Sequence, residues 1–155
     1  MKTLILYYTK TGHTLEAVTS VAEGLKAGGA EVTSCSVKDF TPSMLDDCDS
    51  LIAASPCWAG SFGKNGAAKP LVKVIDSLPE ACFKGKKCGA VAVHAASGGE
   101  NTISHLERLL RSKGCSDFKA GPFVKAGNPL SIGKGSSVSA DDEKLLCEFG
   151  ENFTK

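Results

Sequence analysis

The sequence has almost no net charge: 18 Lys and Arg stand against 17 Asp and Glu, leaving +1 with neutral histidines. A protein that binds nucleic acid or an acidic polymer needs a cationic excess, so no nucleic-acid partner is expected. Long apolar runs are missing as well. No stretch approaches the roughly 20 residues that cross a bilayer. The N-terminal run Leu4-Ile5-Leu6-Tyr7-Tyr8 is shorter than a signal-peptide core of about 7–15 residues. These absences predict no membrane insertion and, by default, a cytoplasmic location. The seven cysteines, at positions 35, 48, 57, 82, 88, 115 and 147, form no C-x-x-C pair. The nearest two, Cys82 and Cys88, match no common zinc spacing. The count is odd, and Cys35, Cys88 and Cys147 fall in apolar strand or helix patterns where cysteine acts as a small hydrophobe. Free thiols in a reducing compartment are expected rather than a disulfide scaffold. His13, His94 and His105 are too dispersed to read as a metal site, and none is expected.

What is present is concentrated at the start. The apolar run stops at Thr9-Lys10-Thr11-Gly12-His13-Thr14, after which Leu15, Val18, Val21, Ala22 and Leu25 recur at helical spacing. A buried strand therefore feeds a hydroxyl-rich turn that opens into an amphipathic helix. That arrangement aims free backbone N–H groups and the positive end of a helix dipole at one point, which suits a phosphate. The threonines add hydroxyl donors, Gly12 allows close backbone approach, and Lys10 supplies the formal charge. The GK[ST] ending of a nucleotide P-loop is absent. A site of mostly neutral donors fits a phosphate monoester held in place better than a triphosphate that turns over. A Thr/Gly turn with a threonine N-cap is the plainer alternative.

Strand and helix patterns alternate along the remaining chain. Glu31 to Val37 and Ser50 to Ala54 read as strands, the second ending at Ser55-Pro56. A helix follows with Ala68, Leu71, Val72, Ile75 and Leu78 on one face and Pro70 in its first turn. Lys87 to His94 is a buried strand, and Ile103, Leu106, Leu109 and Leu110 mark a helix stopped by Gly114. Phe118 to Lys125 carries Gly121-Pro122, which places this strand at a sheet edge. The last helix starts near Ser139 and is expected to bury Leu145, Leu146, Phe149 and Phe153. Five strands and four helices in alternation predict an α/β fold, a three-layer αβα sandwich around a five-stranded parallel sheet. The 155 residues suffice for a single domain spanning 1–155, one that buries about 70% of its unfolded surface. In such sheets ligands bind beyond the carboxyl ends of the strands, at the point where the winding reverses. The loop after the third strand, Ser55-Pro56-Cys57-Trp58-Ala59-Gly60-Ser61-Phe62-Gly63-Lys64-Asn65-Gly66, is glycine-rich and holds the one tryptophan, a platform for a flat ring. The loop after the fourth, His94-Ala95-Ala96-Ser97-Gly98-Gly99-Glu100, is made of small residues that leave backbone N–H groups accessible.

T-x-T-G-x-T between the first strand and first helix, here Thr9, Thr11, Gly12 and Thr14 with His13 where relatives often carry Asn, resembles the FMN phosphate loop of the flavodoxins. The resemblance extends over the whole chain and is tightest in this loop. It implies the sheet order 2-1-3-4-5, with FMN as cofactor. Thr9, Lys10, Thr11, Gly12, His13 and Thr14 would hold the phosphate. Ser55, Pro56, Cys57, Trp58, Ala59, Gly60 and Phe62 would line the isoalloxazine, with Trp58 stacked on it and the Trp58-Ala59-Gly60 peptides near N5. His94, Ala95, Ala96, Ser97, Gly98, Gly99 and Glu100 would surround the pyrimidine end. Many flavodoxins stack a tyrosine from this third loop; this sequence has none. Flavodoxins also tend to be strongly acidic, and this chain is not. The implied activity is low-potential electron transfer between soluble redox proteins, by a monomer or weak dimer, with no catalytic side chain. A flavodoxin-like NAD(P)H:quinone or flavin-linked oxidoreductase is the alternative, and a binding module that has lost its cofactor is a third. Other families are poorer matches. Gly127 to Lys134 lacks the spacing of a P-loop, the acidic cluster of receiver domains is absent after the first strand, and no phosphatase-type Cys and Arg bracket the first loop.

Overall fold

The computed structural model describes residues 1–59, 65–128 and 133–155. The chain runs β1 (Lys2–Tyr7), α1 (His13–Ala27), β2 (Glu31–Ser36), a short 3-10 turn (Pro42–Leu45), β3 (Ser50–Ala59) and β4 (Asn65–Ala67). It continues through α2 (Lys69–Asp76), β5 (Lys87–His94), α3 (Gly99–Ser112), β6 (Asp117–Lys125) and α4 (Ala140–Phe153). The main sheet has the order β2-β1-β3-β5-β6, and each neighbouring pair is parallel. Apart from β4, this is the expected 2-1-3-4-5 order.

The period of two along each strand decides which helices cover which face. Leu4, Leu6, Leu51, Ala53, Cys88, Ala90 and Ala92 pack with Leu71 and Ile75 of α2 and Leu106 and Leu110 of α3. Ile5, Ile52, Ala54, Val91 and Val93 face the other way, against Val18, Val21 and Leu25 of α1 and Leu146 and Phe153 of α4. Central strands buried on both faces must be apolar throughout, and Ile5, Leu6, Leu51, Ile52 and Ala53 are fully buried. β6 is an edge strand, as its proline requires. Its register against β5 shifts between Ala90↔Ala120 and Ala92↔Phe123, so the segment holding Pro122 falls at the irregularity, where a missing N–H costs least.

Three sequence expectations need correction. Leu145 is 47% exposed, because the buried stripe of α4 runs through Leu146, Phe149 and Phe153 and leaves Leu145 about 100° away. The second helix ends at Asp76, so Leu78 is buried from the turn beyond it, and Ala68 precedes the helix rather than opening it. The third strand does not stop at Ser55-Pro56. It continues to Ala59 and returns through β4 in an antiparallel hairpin, Cys57↔Ala67, Trp58↔Gly66 and Ala59↔Asn65. Ser55 ties the two arms: its hydroxyl donates to Pro56 O at 2.8 Å and accepts from the Ala68 N–H at 2.8 Å.

Candidate functional site

At the carboxyl ends of the parallel strands a cleft of about 220 Å³ is lined by Lys10, Thr11, His13 and Thr14, by Pro56, Cys57 and Trp58, by Val93 and Ala95, and by residues that follow β6. Larger cavities of about 380 and 580 Å³ lie at the opposite, amino end of the sheet, lined by residues such as Thr3, Glu31 and Asp47 or Pro42, Leu78 and Lys86. Those hollows gather neither a helix N-terminus nor loops from the winding reversal. The smaller cleft has both.

The loop after β1 is built locally. Gly12 sits in the left-handed region at φ 94°, where a side chain would be strained. Its N–H donates to Thr9 Oγ1 at 3.0 Å, and its carbonyl accepts from Glu16 N–H at 3.0 Å to start α1. No side chain caps the helix. The N–H groups of its first turn have no intrahelical acceptor, a donor set whose chemistry suits an anion. Thr14 is buried beneath them, and Lys10 and Thr11 are exposed on the rim.

His13 lines the cleft with its ring tied to Glu16 and Lys134. Its ring is 4% exposed, with Nδ1 3.3 Å from Glu16 Oε2 and Nε2 against the carbonyl of Lys134. Both nitrogens face acceptors. A neutral ring satisfies one, and a protonated ring satisfies both. Glu16 in turn accepts from Val138 N–H at 3.0 Å and lies 3.9 Å from Lys134 Nζ. Burial pushes the Glu16 carboxyl up. Hydrogen bonds from Val138, His13 and Ser137, with the His13 charge, outweigh it and hold the group below its ordinary value.

These contacts reveal a wall that sequence reasoning missed. Ala126, Gly127, Asn128, Gly133 and Lys134 line the cleft, and Gly127 N–H donates to Ser136 O at 2.7 Å to close the segment on itself. This stretch fits no nucleotide motif; the signal for its role lies in contacts with α1 rather than in its own residues. No carboxylate lines the cleft among the described residues, whereas Lys10 and Lys134 both do.

The hairpin after β3 is held from outside. Trp58, half-buried, meets the ring of Tyr8 edge-on at 5.4 Å and 88°. On the other arm, Ala67 N–H donates to His105 Nδ1 at 3.1 Å. Gly66, opposite Trp58, is hard against the same ring, where a Cβ would stand 2.7 Å from Nδ1. Ser55 is buried in the clasp described above. Ala59 pairs through its backbone, and Gly60 and Phe62 lie outside the described residues.

The loop after β5 brings Ala95 to the cleft and leaves Ala96, Ser97 and Glu100 exposed. Gly98 precedes α3 as Gly12 precedes α1, again without a side-chain cap, and Gly99 opens the helix. The His94 ring lies 5.9 Å from Phe123 in a tilted contact, and its Nδ1 is buried with no hydrogen-bond partner among the described residues. His94 does not itself line the cleft, although its neighbours Val93 and Ala95 do.

No protein-family model matches the chain. A protein of Bacillus subtilis (strain 168) described as probable flavodoxin 2 is 26% identical over 160 aligned positions, covering 99% of this chain and 95% of that protein. Among solved structures, a flavodoxin from the domain Archaea superposes with a TM-score of 0.76 at 17% identity, over 99% of this chain and 96% of its own. Flavodoxin 1 from Bacillus cereus gives 0.74 at 18%, over 99% and 97%. At such identities the structural matches establish the fold and its full-length correspondence.

Proposed function

We propose that this chain, which shares its fold with flavodoxins and is alike over its full length to a protein described as probable flavodoxin 2, is a flavodoxin, an FMN-binding carrier of single electrons between redox proteins. The observation that carries the reading is the convergence of the uncapped N-terminus of α1, the tryptophan hairpin and the loop after β5 on one cleft. The residues fit the group. A dianionic phosphate needs several N–H and hydroxyl donors, which the 9–14 loop offers, and the carboxylate of the first turn, Glu16, is engaged by His13 and Val138 rather than lining the cleft. A flat apolar ring needs an aromatic wall, for which Trp58 is available, held edge-on by Tyr8. A ring edge bearing carbonyls needs donors, which the small residues Ala95 to Gly99 leave uncovered in the backbone.

FMN, when bound, supplies the electron-accepting ring; the protein holds it and adjusts its energetics. In this reading Thr9, Thr11 and Thr14 with the first-turn N–H groups hold the phosphate, and Lys10 balances its charge from the rim. Trp58 excludes water from one face of the ring. Peptides from Trp58 to Gly60 and of the loop Ser97 to Gly99 orient its edges. The function requires no acid, base or nucleophile. All seven cysteines carry free thiols, which supports a reducing, cytoplasmic setting, and no described helix is long and apolar enough to cross a membrane.

The test is a visible spectrum of the purified protein reconstituted with FMN and reduced stepwise. Tight stoichiometric uptake and two separable one-electron steps are expected. Rapid reduction by NADH or NADPH alone would move the assignment to a quinone or flavin-linked oxidoreductase. A protein that takes up no FMN would overturn both readings.

A further inference from the structure

We propose that His105 of α3 is a positioning residue for the tryptophan hairpin: its neutral ring clamps β4 by accepting the Ala67 N–H, and protonation of that ring releases the clamp and loosens Trp58. The link to the cofactor rests on the function proposed above; the link between His105 and Trp58 does not.

The geometry leaves His105 one role toward the hairpin. Ala67 N–H points at Nδ1 at 3.1 Å, so Nδ1 must offer a lone pair and cannot carry a proton. Gly66 lies flush on the same ring, with no room for a Cβ, and pairs directly with Trp58 across the hairpin. β4 is only three residues long, and a two-stranded ribbon of that size has little stability alone. It is held to the body of the protein by Ala67, packed in the core, by this contact and by the Ser55 clasp one residue later. A proton on Nδ1 would set two donors against each other in a half-buried contact, which removes the hydrogen bond and adds repulsion.

The surroundings keep the ring neutral. Burial lowers the affinity of His105 for a proton below the ordinary value of 6.5; Arg108 on the same helix lowers it further, and Asp76 at the end of α2 acts in the opposite sense. Among the described residues these are the charges that bear on it, and β4 contributes no titratable side chain. The His105–Ala67 hydrogen bond is therefore kept at neutral pH and lost in acid, at a pH below the ordinary histidine value of 6.5.

The sole tryptophan makes the test direct. Trp58 emission is followed in the full-length protein without FMN from about pH 8 to about pH 5, in the wild type, His105→Asn and His105→Phe. Asn keeps an acceptor and does not titrate; Phe keeps bulk and loses the acceptor. A one-proton transition in the wild type that is absent from both variants is expected. FMN dissociation constants are measured over the same range. The phosphate has its own proton step near pH 6, common to all three proteins, so the readout is the ratio of wild type to His105→Asn. That ratio is expected to rise about fivefold to tenfold as the pH falls through the Trp58 midpoint, the effect of losing roughly one hydrogen bond. His105→Phe is expected to bind FMN more weakly than wild type by about the same factor near pH 8. An emission transition that persists in His105→Asn, a flat ratio, or wild-type affinity in His105→Phe would each overturn the proposal. If Phe prevents folding, the Asn comparison alone decides. If none of the three binds FMN, the functional reading fails while the emission titration still judges His105.

Discussion

The loop after β1 and the hairpin after β3 face the same cleft, yet they are held in opposite ways. The first is shaped by its own residues: Gly12 N–H reaches back to Thr9, and the helix begins within the same turn. The second is shaped by partners far along the chain, His105 beneath Gly66 and Tyr8 beside Trp58. The two histidines show the same contrast. His13 faces two acceptors, and protonation leaves both contacts intact. His105 faces a donor, and protonation breaks its contact. On the proposed reading, a proton on the histidine breaks a contact of the ring platform but not of the phosphate loop, and phosphate affinity and ring packing are separable properties.

The largest expected effect separates them by ligand. Because the anchor is specific to a charged group, FMN should bind more tightly than riboflavin by orders of magnitude; hydrogen bonds to a charged group are worth about 1.5–3 kcal/mol each. Thr14→Ala, beneath the helix N-terminus, should weaken FMN by about tenfold or more and leave riboflavin nearly unchanged. Fluorescence titration with both ligands checks this. Equal affinities would remove the phosphate from the loop after β1.

Trp58→Ala should give the complementary pattern. A stacked aromatic contributes about 0.5–1.5 kcal/mol beyond its burial, so both ligands should weaken alike, by roughly tenfold. The quenched fluorescence of bound flavin should recover. A loss confined to FMN would contradict the division between anchor and platform, and unchanged quenching would make the tryptophan structural.

That division also explains what could be read from the sequence. Thr9 to Thr14 are contiguous, so their hydrogen bonds, turn and helix start appear together as a motif. The proline of β6 likewise announces an edge strand by itself. The hairpin is different. Glycines between Pro56 and Gly66 read as a loop because nothing local favours pairing, and the bond that fixes β4 joins Ala67 to a histidine 38 positions away. The wall after β6 is more distant still: His13 meets Lys134 across 121 positions and Glu16 meets Val138 across 122. Periodicity gave the helix faces but not their phase to the residue, which is how Leu145 was placed on the wrong side. The main sheet was accessible because apolar period and turn residues repeat in every unit. The outer supports of the cleft are single contacts without a pattern.

Even the anchor depends on one of those distant supports, and Glu16 measures how much. Its carboxyl binds more protons in the unfolded chain than in the folded one over the range between the two titration points. Stability therefore falls as the pH drops through the ordinary value of 4.5 and below. Glu16→Ala should lower stability by about 1–2 kcal/mol at neutral pH, the cost of leaving the Val138 N–H and His13 unpaired. The difference from wild type should shrink in acid. Thermal melts of both proteins near pH 7 and pH 4 check the sign. A difference that grows in acid would mean that the Glu16 carboxyl is not held below its ordinary value.

The smallest expected effect is on long-range steering, where anchor and platform should not differ. With 18 basic and 17 acidic residues, the protein has no net field to guide a charged partner. Lys134, at the cleft, is partly offset by Glu16 at 3.9 Å. The first turns of α3 and α4 carry acids of their own, Glu100 and Asp141, Asp142 and Glu143. Electron-transfer rates to a soluble acceptor should therefore change by no more than about twofold between low and physiological ionic strength, a range over which strongly charged pairs slow far more. Stopped-flow measurements against one acidic and one basic acceptor provide the check. A steep fall with salt for one acceptor alone would locate a charged docking patch of opposite sign near the cleft. Charge neutralisation of Lys10 and Lys134, one at a time, would then show whether the anchor side of the site supplies it.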